Sequence, residues 1–195
     1  MTKTLVVATG NPGKVAEMEA YLKPLGLSLL LKPKHIEVDE TGTTFMENAR
    51  LKASQVAKQL NQWAIADDSG LEVNALSGAP GLYSARYAAT PQACIDRLLR
   101  ELEGQSDRSA QFKCAIAIAT PKGAIALEAE GICPGQILEQ RRGSDGFGYD
   151  PIFYVPTEGM TFAEMPAALK DDVSHRGRAF QALMPALIAL FNSPS

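Results

Sequence analysis

Near the start of the chain, Leu5-Val6-Val7-Ala8 forms a short apolar run that stops against Gly10, Pro12 and Gly13, and a helical pattern follows from Val15 to Leu25. Strand, tight loop and helix in that order mark an α/β chain. Leu27 to Leu31 reads as a second strand, and a polar connection containing Asp39-Glu40-Thr41-Gly42 follows it. Thr44 and Glu47 have capping-box spacing and open a helix to about Leu60. Trp63 to Ala66 reads as a buried strand ending in Asp67-Asp68-Ser69-Gly70, with Leu71 to Leu76 resuming it after a bend and Gly78-Ala79-Pro80-Gly81 marking a loop. Thr90-Pro91 starts a helix to about Glu103, because threonine caps and proline suits the first helical position. Phe112 to Ala119 and Ala124 to Cys133, joined at Pro121-Lys122-Gly123, predict an antiparallel hairpin. A glycine-rich loop over Gly143 to Pro151 and a closing helix over Ala179 to Phe191 complete the chain. Early alternation of strands and helices, with a hairpin in the middle, predicts a mixed α/β sheet with helices packed on it.

At 195 residues and 46% hydrophobic content, one sizeable core is expected, and the chain reads as a single domain over residues 1–195. The formal net charge of −3 disfavours a polymeric nucleic-acid partner, which needs clustered lysine and arginine, but leaves room for a small phosphorylated ligand. Cys94, Cys114 and Cys133 are odd in number and set in apolar surroundings, as expected of reduced core residues in a cytoplasmic protein. The residues after Met1 lack the apolar length of a signal peptide, no stretch is long enough to span a membrane, and the tail Asn192-Ser193-Pro194-Ser195 is expected to fray.

Four groups of residues could carry chemistry. Thr9-Gly10-Asn11-Pro12-Gly13-Lys14 is a strand-to-helix loop where glycines permit close backbone approach and the helix start offers N–H groups to an anion. Its glycine spacing fits neither a Walker loop nor a dinucleotide fingerprint. Lys14 in the first turn opposes the helix dipole, a conflict that an anionic ligand would relieve. Asp39, Glu40, Asp67 and Asp68 supply hard oxygen ligands suited to Mg²⁺. Adjacent residues on a strand face opposite ways, so one of Asp67 and Asp68 is expected in a given site; Asp68 is the candidate, with Asp67 bonded to nearby backbone. Gly146-Phe147-Gly148-Tyr149-Asp150-Pro151 sets two aromatics among glycines, suiting either a flat ligand or a tight turn whose aromatics plug the core. Lys170 with Ser174-His175-Arg176-Gly177 puts cations at a helix start, where they serve better as donors to a ligand than as helix stabilisers. His35 lies in a polar loop and reads as structural or solvated.

These stretches, in this order, resemble the inosine triphosphate pyrophosphatase or Ham1-like family: Ala8-Thr9-Gly10-Asn11 with Gly13-Lys14, Thr44-Phe45 with Glu47-Asn48-Ala49, and Ala66-Asp67-Asp68-Ser69-Gly70-Leu71. Gly78-Ala79-Pro80-Gly81 with Ser84-Ala85-Arg86-Tyr87, then Gly146 to Phe153, then Ser174-His175-Arg176-Gly177, complete the match. The resemblance implies an elongated mixed sheet with flanking helices forming two lobes around a nucleotide-binding cleft, usually as a homodimer. It implies hydrolysis of XTP, ITP and dITP to monophosphate and pyrophosphate, with Mg²⁺ as cofactor and Mn²⁺ as a stand-in. By the same resemblance, Thr9, Gly10, Asn11, Pro12, Gly13 and Lys14 would hold the triphosphate. Glu40 and Asp68 would bind the metal, and Asp68 would activate the attacking water. Ser69 would touch substrate, while Phe147, Gly148, Tyr149, Asp150, Lys170, His175 and Arg176 would enclose the purine and its phosphates. The chain departs from the family pattern at Asp39-Glu40, where the family often has two glutamates, and at Asp171-Asp172, which add negative charge after Lys170. Two other readings compete: a Maf-like pyrophosphatase, against which the Ser174 to Gly177 block argues, and a nucleotide sensor without turnover. A scaffold with no ligand is a third.

Overall fold

The structure, a computed structural model, describes residues 4–192, so Ser193, Pro194 and Ser195 of the tail lie outside the described residues. Among these residues the strands are β1 (Thr4–Val7), β2 (Ser28–Leu31), β3 (Trp63–Val73), β4 (Ser109–Ala119), β5 (Ile125–Ile137), β6 (Phe153–Val155) and β7 (Met160–Thr161). The α-helices are α1 (Pro12–Leu22), α2 (Phe45–Leu60), α3 (Pro91–Glu101), α4 (Ala167–Val173) and α5 (His175–Asn192). The strands form one sheet in the order β2-β1-β3-β4-β5-β6-β7. β1 runs parallel to β2, with Thr4 opposite Ser28, and parallel to β3, with Leu5 opposite Trp63; β6 is antiparallel to both β5 and β7. The mixed α/β sheet is as expected.

Capping chemistry sets several helix starts. Thr44 Oγ1 accepts the Glu47 N–H at 3.1 Å and Thr90 Oγ1 accepts the Ala93 N–H at 3.1 Å, where their spacing predicted caps. The Glu47 carboxylate answers one residue upstream of a standard capping box, accepting the Thr43 N–H at 2.6 Å. Asn11 caps α1, which therefore begins at Pro12, ahead of the expected Val15. The closing helix likewise begins at His175, ahead of Ala179, and α4, which carries Lys170, was not anticipated.

The clearest departure is β3, expected to break at Asp67-Asp68-Ser69-Gly70 but continuous through all four. Carboxylates normally end a buried strand because they seek water; here Asp67 and Asp68 each have an ammonium partner inside the fold, so the strand can carry them.

Contacts divide the chain into two compact units. Within the described residues, the first takes in the chain up to Asp68, Cys114–Gly131 and the chain from Arg178 onward. Its core joins Leu5, Val7 and Ile65 to Met18 and Leu22 of α1 and to Phe180, Leu183 and Leu187 of α5, with Tyr21 stacked on Phe180 at 4.5 Å. α2 adds the buried stripe Ala49, Ala53, Val56 and Ala57. The second unit, Ser69–Lys113 and Ile132–Gly177, packs Leu71 and Val73 against Ile95 and Leu98 of α3 and against Phe112, Phe153 and Phe162. Each large apolar side chain removed from water in this way stabilises its unit by about 1.5–3 kcal/mol.

Candidate active site

In the first unit, the loop after β1 is organised by Asn11. Its Oδ1 accepts from the Gly13 N–H at 2.9 Å and the Lys14 N–H at 3.4 Å, and its own N–H donates to Thr9 Oγ1 at 3.2 Å. Pro12 has no N–H, so the donors that the sequence offered to an anion are engaged by the Asn11 cap. Open space remains at Gly10, where an added Cβ would meet nothing within 4 Å. Lys14 does find an anion, but a protein one: its Nζ lies 3.0 Å from Oδ2 of the fully buried Asp67. The conflict between Lys14 and the helix dipole is therefore offset within the fold, by a partner the sequence reading did not give to Asp67.

Around Asp68 a second cluster forms. Lys52, on α2, places Nζ 2.8 Å from Glu40 Oε1 and 3.1 Å from Asp68 Oδ1, bridging the two candidate metal ligands. Asn48 lies one turn earlier on the same face of α2. Its Nδ2 donates to Asp68 Oδ2 at 3.1 Å, and its Oδ1 accepts the Gly42 N–H at 2.8 Å. Asn48 thus ties the acidic loop to the carboxylate on β3. Gly42 is needed for that approach, since a Cβ there would stand 2.7 Å from Asn48 Oδ1. Burial works against the Lys52 ammonium, but the charges of Asp68, Asp67 and Glu40 and the bond to Glu40 outweigh it and hold its pKa above the usual lysine value. Asp39 and His35 are exposed, whereas Glu40 is half-buried.

The second unit carries the aromatic and basic residues. Asp150, buried at the end of the glycine-rich loop, accepts the Phe147 N–H at 2.8 Å and the Lys170 ammonium at 2.8 Å on the same Oδ2. Lys170 Nζ sits 5.0 Å from the centre of the half-buried Phe147 ring and 5.6 Å from that of Phe162, within cation–π range. Tyr149 takes the other course foreseen for the loop: it is buried and donates its hydroxyl to Ser84 O at 3.0 Å. Burial pushes its phenol far above the ordinary tyrosine pKa, and neighbouring Cys94 adds to the shift. Gly148 lies between the two aromatics at φ +59.

His175 and Arg176 open α5, as expected, but both are buried. The His175 ring stacks on Phe112 at 4.6 Å and 13°, continuing the aromatic cluster, and Arg176 Nη2 donates to Ser69 Oγ at 3.0 Å. Ser69 and Arg176, proposed separately as substrate residues, are thus partners. Asp172 is exposed and Asp171 half-buried.

Lys52, Asn48 and Gly42 were given no role in the site from the sequence, although Asn48 lies in a recognised block. A signal was present: positions 48 and 52 fall on the helical stripe with Ala49, Ala53 and Val56, where polar side chains need a reason to be. Among the described residues no group of three or more His, Cys, Asp or Glu side chains converges, so a metal reading rests on the two carboxylates that meet Lys52. Two such oxygens facing one cation are a donor set that fits Mg²⁺, which commonly takes one or two protein carboxylates.

Fold and side chains define a mixed α/β protein whose strand and loop carboxylates are held by lysines from neighbouring helices. The Ham1 family model matches residues 5–186. A dITP/XTP pyrophosphatase from Synechocystis sp. is 63% identical over 181 residues, 93% of each chain. Another from Nostoc sp. is 60% identical over 193 residues, 99% of this chain and 98% of that one. Among solved structures, a HAM1 protein from Coxiella burnetii superposes with TM-score 0.88 at 42% identity, covering 96% of this chain and all of its own. The Staphylococcus aureus Ham1 protein gives TM-score 0.83 at 40% identity over 97% and 98% of the two chains. The chain belongs to the Ham1 family.

Proposed function

We propose that this chain is a dITP/XTP pyrophosphatase, hydrolysing XTP, ITP and dITP to the monophosphate and pyrophosphate and so clearing non-canonical purines from the nucleotide pool. Identity of about 60% over nearly the whole length to proteins of that activity carries the reading. The cluster of Glu40, Lys52 and Asp68 supports it, because a phosphoanhydride hydrolase needs carboxylates and cations at one point.

Magnesium, when held by Glu40 and Asp68, would neutralise charge on the phosphoryl oxygens. Asp68, oriented by Asn48, takes a proton from water as the water adds to phosphorus at the α–β anhydride. Water's oxygen bonds to the α phosphorus as the bond from that phosphorus to the oxygen bridging to the β phosphorus breaks, and pyrophosphate leaves with that bond's electrons. Lys14 and Lys52 stabilise the charge on the phosphates, with Gly10 leaving the backbone open to them. Thr9, Asn11, Pro12 and Gly13 shape that loop. Phe147 and Gly148 receive the purine face; Lys170, His175 and Arg176 supply donors for a 6-oxo group, Ser69 orients Arg176, and Asp150 and Tyr149 fix the loop. Adenine's 6-amino group cannot accept those bonds, leaving donors unpaired, which is the kind of mismatch that discriminates strongly.

In this reading residues 1–195 form one catalytic domain and work in the cytoplasm as a homodimer, Mn²⁺ can replace Mg²⁺, and nucleic acid and membrane are not partners. The buried free thiols of Cys94, Cys114 and Cys133 are in keeping with a reducing compartment, and no helix among the described residues is long and apolar enough to cross a membrane. The test is pyrophosphate release from XTP, ITP, dITP, ATP and GTP with and without Mg²⁺, for the wild type and Asp68→Asn. Metal-dependent turnover of XTP, ITP and dITP that the variant loses is expected. Equal turnover of all five refutes the base selectivity, and tight binding without turnover points to a sensor.

A further inference from the structure

We infer that Lys52 is a built-in counter-cation that competes with the divalent ion for Glu40 and Asp68, so that metal enters readily only when a triphosphate is present to accept the displaced ammonium. The inference rests on the metal reading above and adds to it the order in which metal and nucleotide assemble.

Lys52 Nζ contacts Glu40 Oε1 at 2.8 Å and Asp68 Oδ1 at 3.1 Å, the carboxylates that a divalent ion would need. Asp68 has little freedom to offer another oxygen, because Oδ2 is bonded to Asn48 Nδ2 at 3.1 Å and Asn48 is itself fixed by Gly42. A Mg²⁺ ion demands oxygens at about 2.0–2.1 Å in near-ideal octahedral geometry. An ammonium and a divalent ion sharing the same two oxygens would stand a few ångström apart with like charge, in a site where water screens them poorly. One cation must leave. The Lys52 side chain is only 12% exposed, so its ammonium cannot simply move into solvent and needs another anion. Its flexible stem lets the head move while the helix stays in place. A triphosphate offers many oxygens, whereas Mg²⁺ alone brings none. The cluster of two carboxylates and one ammonium carries one net negative charge; without the ammonium it would carry two, a much stronger attraction for a divalent ion.

The test uses Lys52→Met, which keeps an apolar stem of similar length but removes the charge. Isothermal titration with Mg²⁺ alone should show the variant binding at least tenfold more tightly than the wild type, about 1.4 kcal/mol. Lys52→Arg, which keeps a cation, should remain near the wild type. A second measurement on the wild type covers the case in which Lys52→Met fails to fold. In ¹⁵N-lysine-labelled protein, adding Mg²⁺ should shift the Lys52 ammonium resonance, assigned by its loss in Lys52→Arg, and adding a non-hydrolysable dITP analogue should lower the Mg²⁺ concentration required. Magnesium affinity of Lys52→Met equal to or weaker than wild type, or a Lys52 resonance unmoved by Mg²⁺ at saturation, overturns the competition. A wild type that shows no Mg²⁺-dependent turnover of dITP would instead overturn the functional reading, and the two failures are told apart by that assay.

Discussion

Replacing Gly146 by alanine should damage the protein far more than replacing Gly148, although both glycines sit at positive φ, +78 and +59. An L-residue in the left-handed region costs roughly 1–2 kcal/mol, a penalty common to both. At Gly148 the added methyl meets nothing within 4 Å, so the strain is the whole cost. At Gly146 the Cβ would collide with Asp150 Oδ2, the atom holding both the Phe147 N–H and the Lys170 ammonium. Asp150 is 4% exposed and cannot turn out to water without moving the loop. Losing a hydrogen bond to a buried charged group costs about 1.5–3 kcal/mol, which brings the expected total for Gly146→Ala to about 2.5–5 kcal/mol against about 1–2 for Gly148→Ala. Urea unfolding followed by circular dichroism measures both. Steady-state kinetics on dITP should show KM rising about tenfold or more in Gly146→Ala as Phe147 loses its anchor. Equal stability losses in the two variants, or an unchanged KM in Gly146→Ala, would refute the role given to Asp150.

Three further outcomes are expected. Gly10→Ala should leave the melting temperature within about 2 °C of wild type, since its methyl meets open space, while KM for dITP rises if phosphate approaches that backbone; an unchanged KM removes Gly10 from the site. Asn48→Ala should lower stability by about 2–4 kcal/mol in urea titration and reduce kcat more than KM, because it frees Asp68 Oδ2 and the Gly42 N–H together; a variant with full kcat would show that Asp68 needs no such brace. The Tyr87 phenol is pushed up to about 12 by burial and by its bond to Glu101. With a folded pKa above the unfolded value near 10, its contribution to stability is complete below pH 10 and declines as pH rises towards 12. Tyr87→Phe should flatten that limb of the pH–stability curve, and identical limbs would count against the assignment.

What could be read ahead of the structure was mostly local. The caps at Thr44 and Thr90 follow from chemistry within three residues, and the hairpin closes across Thr120 and Ala124 where Pro121-Lys122-Gly123 broke the pattern. The glycine-rich loop was legible as more than a plain connector, and of the two arrangements that the sequence left open for its aromatics the structure has one ring half-buried beside a lysine and the other in the core. Partnerships across long separations were hidden. Lys14 with Asp67, Asn48 and Lys52 with Asp68, and Arg176 with Ser69 each join residues from different elements, and no periodicity records them. The error in β3 had the same origin: two adjacent aspartates end a strand unless distant lysines meet them. Asn11 illustrates a subtler limit, since a side chain that caps a helix and a loop that binds an anion look alike in sequence.

The uninterrupted course of β3 also bears on how the gene can change in length. Asp67 meets Lys14 while its neighbour Asp68 meets Lys52, so one inserted or deleted codon upstream in this strand would carry the following side chains to the opposite face. Each lysine would then face whatever residue had moved into register, and two buried charges would lose their partners at once. Length variation among descendants of this sequence should therefore concentrate at turns such as 120–124, whereas the stretch 63–73 should change by substitution alone.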